Sequence, residues 1–374
     1  MTLTDEQAAI RETAREFASE EIRPTALEAD REQEFPEAVW DGLADLDLTG
    51  LTVPEEYGGY EADPVTAAVV NKEVAYGMLS VATALSVHSL ATSCLAEFGS
   101  EDQRERWLPE MADGRPVGAF ALSEPHAGSN PAEMSTEARH EGDEYVVNGE
   151  KQWITNGERA GVYILFAKTD RDDPSTVTQF LVPGDVDGLT VGEKEDKLGL
   201  RASDTTSLTF DDVRIPAENR LTEEGKGLSA AFHILTGGRI AIAAQSVGLA
   251  QCALDEALAY SRERDQFGGP ISDIQTIRHK LAEMATRVRA ARLLTRDAAR
   301  KRAAGSAALE ASMAKYFASE AAMFVTNEAV QIHGGYGYVT EGEVERLYRD
   351  AKITEIYEGT TEIQKTVIAR ELLD

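Results

Sequence analysis

Glu358 stands where a carboxylate could serve as a base. It follows Ile356 and Tyr357, which can shield it from water, and precedes Gly359, which lets another molecule approach the backbone. A desolvated carboxyl holds its proton more tightly, so it can take one from a weakly acidic carbon–hydrogen bond. In a chain with 66 acidic residues, however, an arbitrary glutamate is far more often solvated surface.

Four other clusters could bind rather than react. Phe120-Ala121-Leu122-Ser123-Glu124-Pro125-His126-Ala127-Gly128-Ser129 ends in two residues that offer backbone and hydroxyl donors without bulk, suited to a phosphate, or else form an ordinary loop after Pro125. Trp153-Ile154-Thr155-Asn156-Gly157 carries an indole that can stack on a planar ring, although a half-buried strand residue has the same sequence signature. In Arg262-Glu263-Arg264-Asp265-Gln266-Phe267-Gly268, Arg264 follows a helical run and can pair with a pyrophosphate; a lone Arg there is more often surface. Gln331-Ile332-His333-Gly334-Gly335-Tyr336-Gly337 permits close backbone approach at Gly334 and Gly335 beside a hydrogen-bonding Gln331, or simply stops a helix.

Several chemistries are missing. No G-x-G-x-x-G follows a strand, and there is no G-x-x-x-x-G-K-[ST], G-x-S-x-G or H-E-x-x-H, which removes the common nucleotide and hydrolase scaffolds. The six histidines are scattered without ligand spacing, and Cys94 and Cys252 form no C-x-x-C pair, so no metal site and no disulfide framework is expected. Redox chemistry would have to come from a bound group.

The elements that must position these residues follow from proline and periodicity. Eleven of twelve prolines fall between Pro24 and Pro216, and none follows Pro270, which frees the C-terminal third to be helical. There Ile274, Ile277, Leu281, Met284, Val288 and Ala291 repeat at spacings of three and four, the seam of a bundle helix. Val247, Leu254 and Leu258 mark a helix before it, and Met313, Phe317, Phe324 and Val325 one after it. From Val117 to Pro216 the chain reads as short strands: a hairpin is expected at Asn148-Gly149, a run buried on both faces at Val162 to Ala167, and a closing strand from Ser207 to Ile215. Strands without intervening helices suggest a small barrel or sandwich. The first 115 or so residues return to helix, opening on a capping box at Thr4 and Gln7 and including one long stretch from Val65 to Phe98.

Composition narrows the partners. The 374 residues carry a formal charge of −29, spread over every region, with 42% hydrophobic residues: a folded, strongly acidic protein whose surface would repel nucleic acid and anionic membranes and suits concentrated salt. Apolar runs fall short of the roughly 20 residues that span a bilayer, and Met1-Thr2-Leu3-Thr4-Asp5-Glu6 lacks a signal core, so a cytoplasmic location is expected.

The five clusters in this order, with the early Pro-Glu-Glu-Tyr-Gly-Gly loop at 54–59, give the chain a resemblance from end to end to the acyl-CoA dehydrogenase family, flavoproteins that introduce a double bond between the α and β carbons of an acyl thioester. The resemblance implies a mostly α fold with a β domain: a helical N-terminal domain (1–116), a middle β-barrel or sandwich domain (117–221) and a C-terminal four-helix bundle (222–374). It implies a non-covalent FAD, a homotetramer built as a dimer of dimers, an acyl-CoA substrate, and electron-transferring flavoprotein as the acceptor.

It also assigns residues. Phe120, Leu122, Ser123, Gly128, Ser129, Trp153, Ile154, Thr155, Gln275, Thr360 and Glu362 would contact FAD, with Thr155 bonding flavin N5. Arg264, Phe267, Gln331, Gly334 and Gly335 would join them, and the family has the Arg264 element and the Gln331–Gly335 turn reaching the FAD of a neighbouring subunit. Ser129, Arg239 and Gly359 would line the substrate. Glu358 would remove the α-proton while the β-hydrogen leaves as hydride, with the Glu358 backbone N–H and a ribityl hydroxyl polarising the thioester carbonyl. Some branches place the base just before the Arg of the first bundle helix; here that position is Gly238, which points back to Glu358. Another branch, acting on glutaryl-CoA, uses an arginine that Leu79 to Ser86 lacks. The closest likeness is to the butyryl-CoA type. The expected function is therefore dehydrogenation of short- or medium-chain acyl-CoA, with a branched-chain enzyme, an oxidase or an inactive flavin-binding scaffold as alternatives. His126, where many members carry glycine, could crowd its loop.

Overall fold

A computed structural model describes residues 3–373; Met1 and Thr2 of the N-terminal stretch read above, and Asp374, lie outside the described residues. α1 (Asp5–Phe17) opens on the expected capping box: the Thr4 hydroxyl accepts from the Gln7 N–H, and the Gln7 side chain accepts from the Thr4 N–H. The helical region continues through α2 (Ala26–Glu32), α3 (Glu37–Asp45), α4 (Pro64–Gly77), α5 (Leu79–Phe98) and α6 (Glu101–Ala112). The stretch expected as one helix from 65 to 98 is two, because Met78 is extended at φ −158° and ψ 124°. Gly77 before the break packs onto Ile22 and the Ala18 carbonyl, where a Cβ would not fit.

Next come β1 (Val117–Ala121), β2 (Glu137–Glu141), β3 (Glu144–Ile154), β4 (Ala160–Lys168), β5 (Val177–Pro183), β6 (Leu189–Val191) and β7 (Thr206–Pro216). They form one curled sheet in the order β1-β4-β2-β3-β7-β6, with β5 added on β4. The run in β4 is apolar throughout because both faces are covered: Val162, Ile164 and Phe166 meet Leu95 and Met111 of the helices, while Tyr163, Leu165 and Ala167 meet Phe180, Val182 and Phe210 of the curled sheet.

Asn148-Gly149 is not a hairpin. The turn comes earlier, at Gly142-Asp143 between β2 and β3, and β3 runs through Asn148 and Gly149 with a bulge. Asn148 reaches across to β7, accepting from the Asp212 N–H at 2.9 Å, and a Cβ on Gly149 would lie 2.6 Å from Thr136 Oγ1. The glycine serves close approach rather than reversal.

The C-terminal region holds α7 (Gly227–Glu263), a tight ribbon of β8 (Asp265–Gln266) and β9 (Gly269–Pro270), α8 (Gln275–Ala303), α9 (Ala308–His333), α10 (Glu343–Ala351) and α11 (Thr361–Leu373). α7, α8, α9 and α11 make the bundle, with Met284, Val288 and Ala291 of the predicted seam buried and Ile274, Ile277 and Leu281 packed at its margin. Helices from both ends of the chain share one core: Val70 and Val74 of α4 lie in the same cluster as Val247 and Leu254 of α7.

α5 and α7 are long and apolar enough by composition to cross a membrane, against the expectation that no run approaches that length. Their small residues interrupt the apolar runs without lowering the average much, and 78% and 61% of the respective stretches are buried inside the protein.

Candidate active site

Glu358 lies in the turn that leads into α11, with φ at +51°. A left-handed non-glycine residue costs about 1–3 kcal/mol and persists only where its surroundings impose it. Here the turn is fastened from behind. Gln364 Nε2 donates to the carbonyls of Glu358 and Gly359 at 3.2 and 2.9 Å, and Lys315 Nζ of α9 donates to the Gly359 carbonyl at 2.8 Å. The Tyr357 hydroxyl donates to Gln245 Oε1 at 3.3 Å and lies 3.5 Å from Thr83 Oγ1, and Gln245 in turn donates to Asn71 and the Ala82 carbonyl. With its backbone so held, Glu358 directs its carboxylate onto α7 at Gly238, where any Cβ would fall inside the envelope of Oε2. The glycine at 238 thus leaves this space to the Glu358 carboxylate.

The surroundings are charged. Glu358 Oε2 is inaccessible and without a hydrogen-bond partner, and burial pushes the carboxyl up to about 7, against the pull of Arg239 and Lys315. Arg239 is buried with its Nε unpartnered. Lys315 is fully buried, and desolvation lowers it to about 8 even though Glu358 and Glu355 favour its charge. A carboxyl that titrates near neutrality can both take and return a proton. The shielding comes from α7 and α9 and not from Ile356, which is 48% exposed, in contrast to the sequence expectation.

On the sheet side, Phe120 stands near the end of β1 with its ring 4.8 Å from Phe166, Leu122 is buried, and the Ser123 carbonyl accepts from the Gln152 N–H at 3.0 Å. Gly128 and Ser129 lie on an exposed loop, with open space around Gly128. Trp153 is 59% exposed at φ +63°, and the Thr155 hydroxyl makes no hydrogen bond among the described residues. Ile154 between them turns into the sheet core, so only its backbone faces outward. Asn156 anchors the turn from below, donating to the carbonyls of Ala84 and Gly118 at 3.0 and 3.1 Å.

A buried ion pair also supports this loop. Glu124 accepts from Lys151 Nζ at 2.8 Å and from the N–H and hydroxyl groups of Ser135 and Thr136, and both charged side chains are inaccessible. Sequence reading quoted Glu124 without giving it this role and passed over Lys151. The exposed His126 ring folds over its own loop, with Nε2 3.3 Å from the Glu133 carbonyl and 3.7 Å from Glu124 Oε2.

The remaining predicted residues lie elsewhere. Arg264 caps the end of α7, Phe267 forms the tip of the β8–β9 ribbon at 95% exposure, Gln275 begins α8, and Gln331, Gly334 and Gly335 close α9. The Arg264 guanidinium sits 5.8 Å from the Tyr336 ring, which ties these segments together. Along α7, Arg239 and Arg264 are separated by 25 residues, about 37 Å of helix. One chain thus presents two groups that it does not bring together. Thr360 and Glu362 stay beside Glu358, at the start of α11, where the Thr360 hydroxyl accepts from the Ile363 N–H at 3.4 Å. Among the described residues, no three His, Cys, Asp or Glu side chains converge as metal ligands.

Sequence reasoning missed Lys315, although one signal was available. It stands on a stripe with Ala311, Ala314, Ala318 and Ala322, all buried, and a lysine on an apolar helix face needs a partner.

The family models for the N-terminal, middle and C-terminal domains of acyl-CoA dehydrogenase match residues 4–115, 119–213 and 225–373. The mitochondrial short-chain specific acyl-CoA dehydrogenase of Mus musculus is 46% identical over 367 residues, covering 97% of this chain and 89% of that protein. The structure of butyryl-CoA dehydrogenase from Megasphaera elsdenii superposes with a TM-score of 0.97 at 41% identity, over the whole of both chains. A structure described as the electron transferring flavoprotein of Acidaminococcus fermentans, studied for flavin-based electron bifurcation, gives 0.98 at 40% identity over 100% of this chain and 99% of that one. The chain belongs to the FAD-dependent acyl-CoA dehydrogenase family and is of its short-chain type.

Proposed function

We propose that this protein oxidises short, straight-chain acyl-CoA thioesters to trans-2-enoyl-CoA, with Glu358 as the base, and hands the electrons to an electron-transferring flavoprotein. The observation that carries the reading is the Glu358 carboxyl itself: sequestered, raised to about 7, and given its space by Gly238. The residues present also fit a flavin. Trp153 offers an uncovered indole, Thr155 an unengaged hydroxyl, and Gly128 a backbone that nothing else crowds. FAD, when bound, supplies the hydride acceptor. This chain's own residues do the rest. Glu358 takes the α-proton, and its backbone N–H, which has no acceptor among the described residues, is free to bond the thioester oxygen. Arg239 and Lys315 keep enough positive charge nearby for the carboxylate form to be populated at neutral pH.

The separation of Arg264, Phe267, Gln331, Gly334 and Gly335 from this centre supports a homotetramer in which those residues serve a neighbour's cofactor. A cytoplasmic location is supported by two buried cysteines that form no disulfide, and a salt-adapted surface by the charge of −29. The defining experiment is anaerobic: flavin-loaded protein should bleach with butyryl-CoA. Preferential turnover of isobutyryl-CoA would move the reading to a branched-chain enzyme, and absence of bleaching with every acyl-CoA to a flavin-binding scaffold.

A further inference from the structure

A cavity of about 260 Å³ adjoins Gly238, the residue that the Glu358 carboxylate rests on. α7 gives it a floor without bulk, made of Gly237, Gly238 and Ala241, and α5 faces that floor with Ser86, Ser89 and Ser93. Spacings of three and four place the three serines on one side of their helix.

Their hydroxyls are left unspent, as is that of Ser312 in α9. A buried Ser or Thr in a helix ordinarily returns its hydroxyl to the carbonyl four residues back, and Ser246, Ser319, Thr295 and Thr326 all do so at 2.8 Å. Ser86 is 3% exposed and its hydroxyl has no partner, and the Ser89 and Ser93 hydroxyls bond nothing among the described residues. An alkyl tail laid along this wall would leave the hydroxyls desolvated and unpaired, whereas a tail carrying its own hydroxyl would satisfy them. The charges at the far end do not call for a carboxylate: Arg302 is hydrogen-bonded to His233 at 2.9 Å, and His233 lies 3.1 Å from Glu97, which would repel one.

We propose that this cavity receives the acyl tail and that its serine wall selects acyl thioesters bearing a tail hydroxyl over plain alkyl ones. The proposal rests on Glu358 being the base for an acyl-CoA, as argued above. Thr83, which touches Tyr357, is three residues from Ser86, about 5 Å along α5, and Ser93 lies about 10 Å further on, so a hydroxyl near the end of a six-carbon tail falls within the serine row.

The test compares kcat/KM for 6-hydroxyhexanoyl-CoA and hexanoyl-CoA with the flavin-loaded enzyme. The ratio should be at least one in the wild type and should fall about tenfold when Ser86→Ala, Ser89→Ala and Ser93→Ala are combined. Ser246→Ala, whose hydroxyl is bonded within its own helix away from the cavity, should keep the wild-type ratio. If the triple variant does not fold, Ser93→Ala alone, at a partly exposed position, should lower the ratio about threefold. A wild-type ratio below one, or a ratio unmoved by the serine substitutions, overturns the proposal. Bleaching by butyryl-CoA is read on the same preparation: its loss would sink the base assignment, while bleaching with a ratio below one would sink only the serine wall.

Discussion

The two ends of α7 differ in how much of their work one chain completes. Near Arg239, the carbonyls of Glu358 and Gly359 are held by α9 and α11, and the carboxylate rests against a glycine. Near Arg264, Phe267 is almost fully exposed at φ +56°, Gly334 and Gly335 have open space around them, and the Arg264 guanidinium lies 5.8 Å from the Tyr336 ring. An exposed, positively twisted phenylalanine gains nothing from the fold of its own chain. The contrast separates a turn that its own chain fastens from a surface that its own chain leaves uncovered.

That contrast can be attacked from either side. The largest effect is expected from Glu358→Gln, which should cut acyl-CoA-driven bleaching by about 10²–10⁴-fold while the protein stays yellow; substantial residual turnover would place the base elsewhere. Gly238→Ala should come next, with a loss of about 10²-fold in kcat, because the added methyl competes with the carboxylate for one space.

Lys315→Met removes a charge that favours the ionised carboxyl. In the free enzyme, kcat/KM should rise with pH through about 7 as Glu358 ionises. The variant's midpoint should move to higher pH, with about tenfold lower activity at neutrality; an unmoved midpoint would show that Lys315 acts only on the Gly359 carbonyl.

At the other end, Arg264→Ala should lower flavin retention, measured by the ratio of flavin to protein absorbance, and leave the pH midpoint in place. Smallest of all, Phe267→Ser should change unfolding free energy by no more than about 0.5 kcal/mol, since its side chain is solvated, while assembly measured by light scattering weakens.

Much of this was legible in the sequence because it is local. The Thr4–Gln7 capping box, the doubly covered run of β4 and the bundle seam from Ile274 to Ala291 depend on near neighbours and periodicity, and so does the helix–strand–helix order. What was not legible depends on distant partners. Asn148-Gly149 carries a turn signal that Asp212 and Thr136, far along the chain, convert into a bulge. Glu124 and Lys151 become a buried pair only once the loop after β1 meets β3, where the Ser123 carbonyl accepts from the Gln152 N–H. Glu358 was found by its motif, but of the two neighbours expected to shield it, Ile356 and Tyr357, the first is exposed, and the helices that cover the carboxyl are far away in sequence.

α9 carries Lys315 near its start and Gln331 near its end, 16 residues and about 24 Å apart on one unbroken rod. A push or tilt applied where the rod emerges at the surface is delivered to the clasp beneath the base without passing through any loop. If a second copy docks at that surface, its contact is carried straight to Lys315, and titration curves taken on dissociated and assembled protein would then differ.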